Sequence, residues 1–357
     1  MIHEDHVPRV LVVGPAWIGD MIMAQSLFKI LQRESPRVEI DVLAPAWSLP
    51  LLDRMPEVHD ALMMPLGHGE LGLGKRYHLG RELARRGYTQ AIVLPRSFKA
   101  ALIPWFARAP RRTGYRGEAR YGLINDMRAL DRAGLPRMVQ RYVALGLDAG
   151  APAPVDVPRP ALKMDADHAK RLMARFGLSA RSPVVGFMPG AEYGPSKQWP
   201  LEYYAELAQR LGANGAQVWI FGSEKDRDTG EHIVAQAGCG INLCGRTQLA
   251  DAIDLIAQVD IAVSNDSGLM HMAAAVGVPL VAIYGSSTPD YTPPLSVSAS
   301  ILYLKVACSP CFDRTCRYGH YRCLRAISVE AVFNEVRRWL NKGRRADGVA
   351  HRLAPGQ

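Results

Sequence analysis

The sequence predicts an α/β protein of two domains, each a doubly wound parallel sheet covered by helices. Short runs of β-branched residues alternate with longer amphipathic stretches, which is the order that builds a parallel sheet with helices on its faces. The alternation stops at a proline- and alanine-rich segment, residues 148–160, and then starts again. A chain of 357 residues also exceeds the usual size of a single hydrophobic core.

The first predicted domain covers residues 1–160 and includes the linker at 148–160. Its β-branched runs predict strands at Val10–Val13, Val38–Leu43 and Ala91–Leu94. Its amphipathic stretches predict helices at Met21–Leu31, Lys75–Arg86 and Ser97–Arg108.

The second predicted domain covers residues 161–328, followed by a C-terminal helix at 329–342 and a basic, mobile tail at 343–357. Its strands are predicted at Val184–Met188, Val218–Phe221, Ile261–Ser264 and Leu280–Tyr284. Two open parallel sheets joined by a linker leave a cleft bordered by the loops at the carboxyl ends of the strands. We expect ligands to bind in that cleft.

The charge of the chain favours polyanionic partners. The formal net charge is +9, which suits nucleic acid, an anionic membrane surface or a phosphorylated substrate. The N-terminal segment carries Glu4 and Asp5 and lacks an apolar core of signal-peptide length, and no apolar run is long enough to span a bilayer. We therefore expect a cytoplasmic protein that touches a membrane only at its surface.

The first loop with candidate chemistry is residues 14–20, GPAWIGD, between the first strand and the first helix. It is not a dinucleotide fingerprint, because Gly14 and Gly19 have the wrong spacing and Pro15 lacks the amide that would face a phosphate. Asp20 has two interpretations, the N-cap of the helix or a general base. Position alone favours the cap.

Two loops of the second domain carry a cation and a carboxylate. Lys197 ends a loop shaped by proline and glycine, and it is either a cation for a diphosphate leaving group or a solvated surface lysine. Glu224 follows the strand at 218–221, and it is either a ligand of ribose hydroxyls or a first-turn glutamate favoured by the helix dipole.

The segment at 264–271, SNDSGLMH, predicts a phosphate cradle. The amides of Ser267 and Gly268 open a small-residue helix that continues through Met272–Ala275, and they present partial positive charge to an anion. Asp266 is either the N-cap of this helix or an acid that orders the ligand. His271 is either a hydrogen-bond donor to a phosphate or a core histidine whose hydrogen bonds are satisfied within the protein. From the residues alone the structural role is favoured for both.

Four of the six cysteines crowd into residues 308–323. In a reducing compartment such clustering suggests thiols or a metal site before disulfides, but the later spacings match no standard zinc ribbon. We therefore expect reduced thiols or a stabilising disulfide here, and no metal. A four-thiolate structural site is the less favoured alternative, and its ligands would be Cys308, Cys311, Cys316 and Cys323.

Several of these motifs, in this order, resemble the ADP-heptose:lipopolysaccharide heptosyltransferase family. The resemblance lies in GPAWIGD at 14–20, GAEYGPSKQWP at 190–200, FGSEKD at 221–226 and SNDSGLMH at 264–271. The heptosyltransferase II branch in particular is similar at APAW (44–47), MPLGHG (64–69) and RYGLIND (120–126). The likeness runs from about Val10 to Leu340.

The resemblance implies a GT-B fold, with the acceptor in the N-terminal domain and ADP-heptose in the C-terminal one. It implies an inverting transfer of L-glycero-D-manno-heptose onto the first heptose of the Hep-Kdo2-lipid A inner core. Asp20 would be the general base, with Gly19 beside it in the substrate site. Lys197 and the loop Asp266–Gly268 would face the diphosphate. Glu224 would bind the ribose, and His271 the phosphates or the sugar.

No cofactor is expected, and the expected partners are ADP-heptose, the lipid A-inner core acceptor and the anionic cytoplasmic face of the inner membrane, without nucleic acid. Heptosyltransferase I acting on Kdo2-lipid A is one alternative, and a non-catalytic nucleotide- or nucleic-acid-binding protein is another. Phosphates on the acceptor would explain six basic residues of the first domain, although an ordinary solvated surface would also explain them: Arg96, Lys99, Arg111, Arg112, Arg116 and Arg120.

Overall fold

The computed structural model describes residues 7–67 and 69–352, with side chains as far as residue 342. It confirms the α/β class, because the strands form two six-stranded sheets in which neighbours pair in parallel. The chain divides into two compact units, Met1–Lys163 (unit 1) and Met164–Gln357 (unit 2).

Unit 1 contains a sheet of order β3-β2-β1-β4-β5-β6. Its strands are β1 (Arg9–Val13), β2 (Glu39–Pro45), β3 (Asp60–Met64), β4 (Gln90–Val93), β5 (Arg111–Tyr115) and β6 (Asp126–Arg128). Its helices are α1 (Ile18–Glu34), α2 (Leu49–Leu52), α3 (Leu73–Leu83), α4 (Phe98–Phe106) and α5 (Met138–Gly146). The strand order reverses between β1 and β4, and such a switch point opens a crevice at the carboxyl ends of the two strands.

Unit 2 repeats the same order, β12-β11-β10-β7-β8-β9, with β7 in the place of β1. Its strands are β7 (Val184–Met188), β8 (Gln217–Ile220), β9 (Ile241–Asn242), β10 (Ile261–Asn265), β11 (Leu280–Tyr284) and β12 (Ala299–Tyr303). Its helices are α6 (Ala166–Phe176), α7 (Leu201–Ala213), α8 (Arg227–Ala237), α9 (Leu249–Ile256), α10 (Gly268–Ala275), α11 (Arg322–Arg325) and α12 (Val329–Arg352). The switch point lies between β7 and β10, so the loops that follow these strands are neighbours.

An aromatic cluster fixes the loop after β7 to the core of unit 2. Trp199 and Tyr204 are fully buried, and their ring centroids lie 5.0 Å apart in an edge-to-face arrangement. The indole nitrogen of Trp199 donates to the carbonyl of Ile327 at 2.9 Å. Since burying one large apolar side chain stabilises a fold by roughly 1.5–3 kcal/mol, this cluster holds the end of the loop in place.

The linker and the C-terminus have different conformations. Residues 148–160 form no helix or strand, and the Gln25 side chain of α1 bonds the amide and the carbonyl of Ala161 just beyond them. Helix α12 continues to Arg352, past the predicted end at 342, since its arginines and alanines outweigh Gly343 and Gly348. Residues 353–357 of the predicted mobile tail lie outside the described residues. Among the described helices none is long and apolar enough to cross a membrane.

Candidate active site

Four loops of unit 2 meet at the carboxyl edge of its sheet, because the ends of parallel strands share one edge. They follow β7, β8, β10 and β11, and they carry Lys197, Glu224, Asp266 and Ser287. Doubly wound sheets bind ligands at this edge, beside the switch point.

Lys197 and Asp266 form an ion pair between the loops that follow β7 and β10. Lys197 Nζ lies 2.6 Å from Asp266 Oδ2, and the hydroxyl of Ser287 donates to the same oxygen at 2.5 Å. The Asp266 side chain is 4% exposed and that of Lys197 is 18% exposed. Lys197 is therefore not a solvated surface lysine, and the pair places a cation at the switch point.

Asn265, the last residue of β10, fixes the loop that carries Lys197. Its amide oxygen accepts from the Trp199 backbone N–H at 3.0 Å and from the Tyr204 hydroxyl at 3.2 Å, and its amide nitrogen donates to the Pro189 carbonyl at 2.6 Å. The side chain is fully buried. Sequence reasoning did not single out Asn265, although a polar residue at the end of an apolar strand is a usable signal.

The N-terminus of α10 faces the same edge. Ser267 is its N-cap, and the Ser267 hydroxyl accepts from the Met270 N–H at 3.4 Å. The alternative in which Asp266 caps this helix is therefore wrong. Gly268 is the first helical residue, so the free amides of the first turn give this end of the helix a partial positive charge.

His271 lies inside α10 and is 5% exposed. The pKa of His271 is lowered to about 4, mainly by burial; the charge of Asp266 raises it and that of Lys197 lowers it. The imidazole is therefore neutral at pH 7, with one ring nitrogen as donor and the other as acceptor.

Glu224 begins the 3-10 turn Glu224–Asp226 after β8, so the first-turn interpretation describes its position. Its carboxylate is exposed, and each of its oxygens accepts from the Arg227 guanidinium at 2.7 Å. Hydrogen bonding to Arg227 holds the pKa of Glu224 below its usual value. The carboxylate thus stays charged and open to solvent at the carboxyl edge.

Asp20 and Gly19 lie in unit 1, in the first turn of α1. The helix begins at Ile18 with Trp17 as N-cap, because the Met21 N–H already bonds the Trp17 carbonyl at 2.9 Å. Asp20 is therefore the third helical residue and half-buried, and the interpretation as N-cap is wrong. A carboxylate in the first turn is stabilised by the helix dipole.

The family model described as glycosyltransferase family 9 (heptosyltransferase) matches residues 76–322. The chain belongs to glycosyltransferase family 9. It is 48% identical to lipopolysaccharide heptosyltransferase 2 of Salmonella typhimurium, over 94% of this chain and 99% of the relative. It is also 48% identical to lipopolysaccharide heptosyltransferase 2 of Escherichia coli, over 92% of this chain and 97% of the relative.

Among solved structures, that of E. coli ADP-heptose LPS heptosyltransferase II superposes with a TM-score of 0.85 at 45% identity. The match covers 94% of this chain and 99% of that one. The family membership makes the chain a glycosyltransferase, and its two parallel sheets are those of the expected GT-B fold.

Three of the six basic residues singled out in the first domain of this glycosyltransferase are structural. Arg120 is fully buried and donates to the carbonyls of Pro95 and Tyr115. Arg111 and Arg112 begin β5, at the amino end of the strand, so they lie at the edge of the sheet opposite the carboxyl edge. The other three basic residues follow β4 or β5 at the carboxyl edge: Arg96, Lys99 and Arg116.

All six cysteines are free thiols, so the structure contains none of the disulfides left open as an alternative. Four of them line one small cavity: Cys308, Cys311, Cys316 and Cys323. Within residues 7–67 and 69–352, no group of three or more histidine, cysteine or acidic side chains is arranged to hold a metal ion. That the glycosyltransferase needs no metal stays a prediction.

Proposed function

We propose that this glycosyltransferase transfers L-glycero-D-manno-heptose from ADP-heptose onto the first heptose of Hep-Kdo2-lipid A, with inversion at the anomeric carbon. The observation that carries the donor assignment is the Lys197–Asp266 pair beside the N-terminus of α10, a place suited to an anion. The sugar, the acceptor and the preference over heptosyltransferase I rest on the relatives named heptosyltransferase 2, which are 48% identical over nearly the whole chain.

In the proposed step Asp20 takes the proton from the attacking hydroxyl of the acceptor heptose. The hydroxyl oxygen bonds to the anomeric carbon of the donor, and the bond from that carbon to the phosphate oxygen breaks, so ADP leaves with the electron pair. Lys197 and the amides of Ser267 and Gly268 stabilise the charge that develops on the leaving diphosphate. Since a lysine and helix amides supply the compensating positive charge, we propose that no divalent cofactor takes part.

The other site residues have supporting roles in this proposal. Asp266 orients Lys197 through their 2.6 Å contact, and neutral His271 donates a hydrogen bond to the phosphates or the sugar. Glu224 accepts hydrogen bonds from the ribose, and Gly19 allows the substrate to approach the first turn of α1.

We propose that the chain works at the cytoplasmic face of the inner membrane, because its net charge of +9 favours an anionic lipid surface, and that its partners do not include nucleic acid. Two tryptophans stand at the carboxyl edge of unit 1, directly after neighbouring strands. Trp17 is 48% exposed and Trp47 is 44% exposed. Amphipathic aromatic side chains of this kind suit contact with the sugars or lipid of the acceptor.

The decisive experiment follows heptose transfer by mass spectrometry, in EDTA, with Kdo2-lipid A and Hep-Kdo2-lipid A offered in separate reactions. The unsubstituted chain should add one heptose to the second acceptor only. Asp20→Asn should lower kcat by about 10²- to 10⁴-fold, the usual contribution of a positioned general base.

Asp53→Asn serves as the matched control, since this exposed aspartate follows α2 and lies outside the proposed site. Transfer to Kdo2-lipid A alone would make the chain a heptosyltransferase I, and full activity of Asp20→Asn would remove the general base from the proposal.

A further inference from the structure

We propose that Arg314, which no motif singled out, is a second cation for the donor diphosphate, placed there by the cysteine-rich segment 308–323. This inference rests on the proposed use of ADP-heptose. The cysteine-rich segment, marked in the sequence only by its thiols, would then take part in binding the donor.

The backbone next to Arg314 is bonded to the loop that carries Lys197. The Arg314 carbonyl accepts from the Ser196 N–H at 3.2 Å, and the Ser196 hydroxyl donates to the Asp313 carbonyl. Gly194 permits this approach, because a Cβ at that position would lie 2.6 Å from the Arg314 carbonyl oxygen. With a φ of 145°, Gly194 also has a conformation that other residues rarely adopt.

A second set of bonds ties the same segment to the loop after β11. The N–H groups of Cys311 and Phe312 both donate to the Ser286 carbonyl, at 3.0 and 2.8 Å. The Ser286 N–H in turn donates to the Ser196 carbonyl at 3.2 Å. Ser287, the next residue, donates to Asp266. Segment 311–314 is therefore held between the two loops that position the Lys197–Asp266 pair.

The Tyr193 ring connects the two cations. Arg314 Cζ lies 5.6 Å from the ring centroid and Lys197 Nζ lies 5.1 Å from it. The Tyr193 hydroxyl donates to the Phe312 carbonyl, which fixes the ring to the cysteine-rich segment. Cation–π contact with one aromatic side chain thus keeps both positive charges near the same place.

Charge compensation distinguishes Arg314 from three other cations at this edge. Lys197 is paired with Asp266, Lys225 with Glu192 and Arg227 with Glu224. In the part of the chain that the structure describes, Arg314 forms no ion pair with a carboxylate. A diphosphate brings two or more negative charges to this site, and Asp266 offsets part of the positive charge of Lys197. The uncompensated guanidinium of Arg314 therefore adds a second positive charge beside that of Lys197.

The test is calorimetric titration of the full-length chain with ADP, AMP and adenosine. Arg314→Gln should weaken ADP binding at least tenfold, a loss of about 1.4 kcal/mol, and should weaken AMP binding less. Adenosine binding should not change. Arg314→Lys keeps the charge but not the planar donor pair, so it should recover part of the affinity and should fold even if the glutamine variant does not.

Arg317→Gln is the matched control. Arg317 lies three residues further on and has the same charge, but it binds both carboxylate oxygens of Asp313 at 2.6 and 3.0 Å. Its variant should bind ADP within about twofold of the unsubstituted chain. Equal losses for the two variants, or a loss of ADP and adenosine affinity to the same degree in Arg314→Gln, would overturn the role of Arg314. Failure of the unsubstituted chain to bind ADP would instead remove the donor assignment itself, and the inference with it.

Discussion

Two buried aspartates of this chain have similar partners but lie at opposite ends of their sheets. Asp41, in β2 of unit 1, is 2% exposed and accepts from Arg86 at 2.8 Å and from the Tyr88 hydroxyl at 2.6 Å. Asp266, after β10 of unit 2, is 4% exposed and accepts from Lys197 and from the Ser287 hydroxyl. In each case one carboxylate oxygen receives a cation and a hydroxyl group.

The two networks differ in whether a positive charge is available to a ligand. Arg86 also binds Asp60 at 2.6 Å, so its charge is shared between two carboxylates. Burial raises the pKa of Asp41, but hydrogen bonds from Tyr88, His59 and Arg86 outweigh it and leave the pKa below its usual value. Lys197 instead lies at the carboxyl edge, next to the free amides of α10. A buried charge pair therefore indicates a binding site only where the topology opens the sheet, and elsewhere it serves the fold.

One effect that follows from this comparison is on stability, at Arg86. Arg86→Gln removes the cation that contacts the buried Asp41 carboxylate. Because the Arg86 side chain is 34% exposed and Tyr88 and His59 still contact Asp41, the free energy of unfolding should fall by about 1–3 kcal/mol, less than for a fully buried pair. Urea unfolding measures the loss, and kcat per folded molecule should stay unchanged. Arg85→Gln, at the exposed neighbour, should cost less than about 0.5 kcal/mol. Equal costs for the two variants would contradict a stabilising role for the Asp41 network.

The next effect is on catalysis, at Lys197. Lys197→Gln removes the cation proposed to stabilise the leaving diphosphate, so kcat should fall by about 10²- to 10³-fold, as when one preorganised donor is removed from a charged transition state. Steady-state kinetics with ADP-heptose measures the fall. The control is Lys225→Gln, since Lys225 is exposed and paired with Glu192 at the same edge, and its activity should stay within about threefold. A smaller fall in kcat for Lys197→Gln than for Lys225→Gln would show that Lys197, like Arg86, stabilises the fold and does not act on the leaving group.

The sequence predicted the strands that are buried on both faces and missed the others. Val184–Met188 and Leu280–Tyr284 are strands over the predicted residues, because their apolar runs are buried throughout. Strands β5 and β6 were missed. They read RRTGY and DMR, polar sequences with no β-branched run to mark them, and they are the last two strands on one side of the sheet, with β6 at its edge. Pairing with a neighbouring strand, which is a tertiary effect, decides their conformation.

The candidate site was predicted in pieces and without its contacts. Lys197 and Asp266 each followed a predicted strand, but their 2.6 Å contact depends on β10 lying beside β7, and nothing local to either loop encodes that crossover. Arg120 shows the opposite error. Its charge suggested a phosphate ligand, yet Arg120 is fully buried and bonds backbone carbonyls. Every residue has a backbone carbonyl, so the sequence does not show which carbonyls an arginine will bond.

The smallest effect is expected at His271, in the pH dependence of the reaction. Burial lowers the pKa of His271 from about 6.5 to about 4, so the ring is protonated only below that value and stays neutral from pH 5 to 8. The profile of kcat/KM over this range should therefore have the same shape in the unsubstituted chain and in His271→Asn, whatever the difference in magnitude. An acidic limb with a midpoint near pH 6.5 that disappears in His271→Asn would show that the histidine gains a proton during turnover. In that case the ring would have to be more open to solvent or substrate than its 5% exposure implies, and His271 would belong with Lys197 among the charged groups of the site.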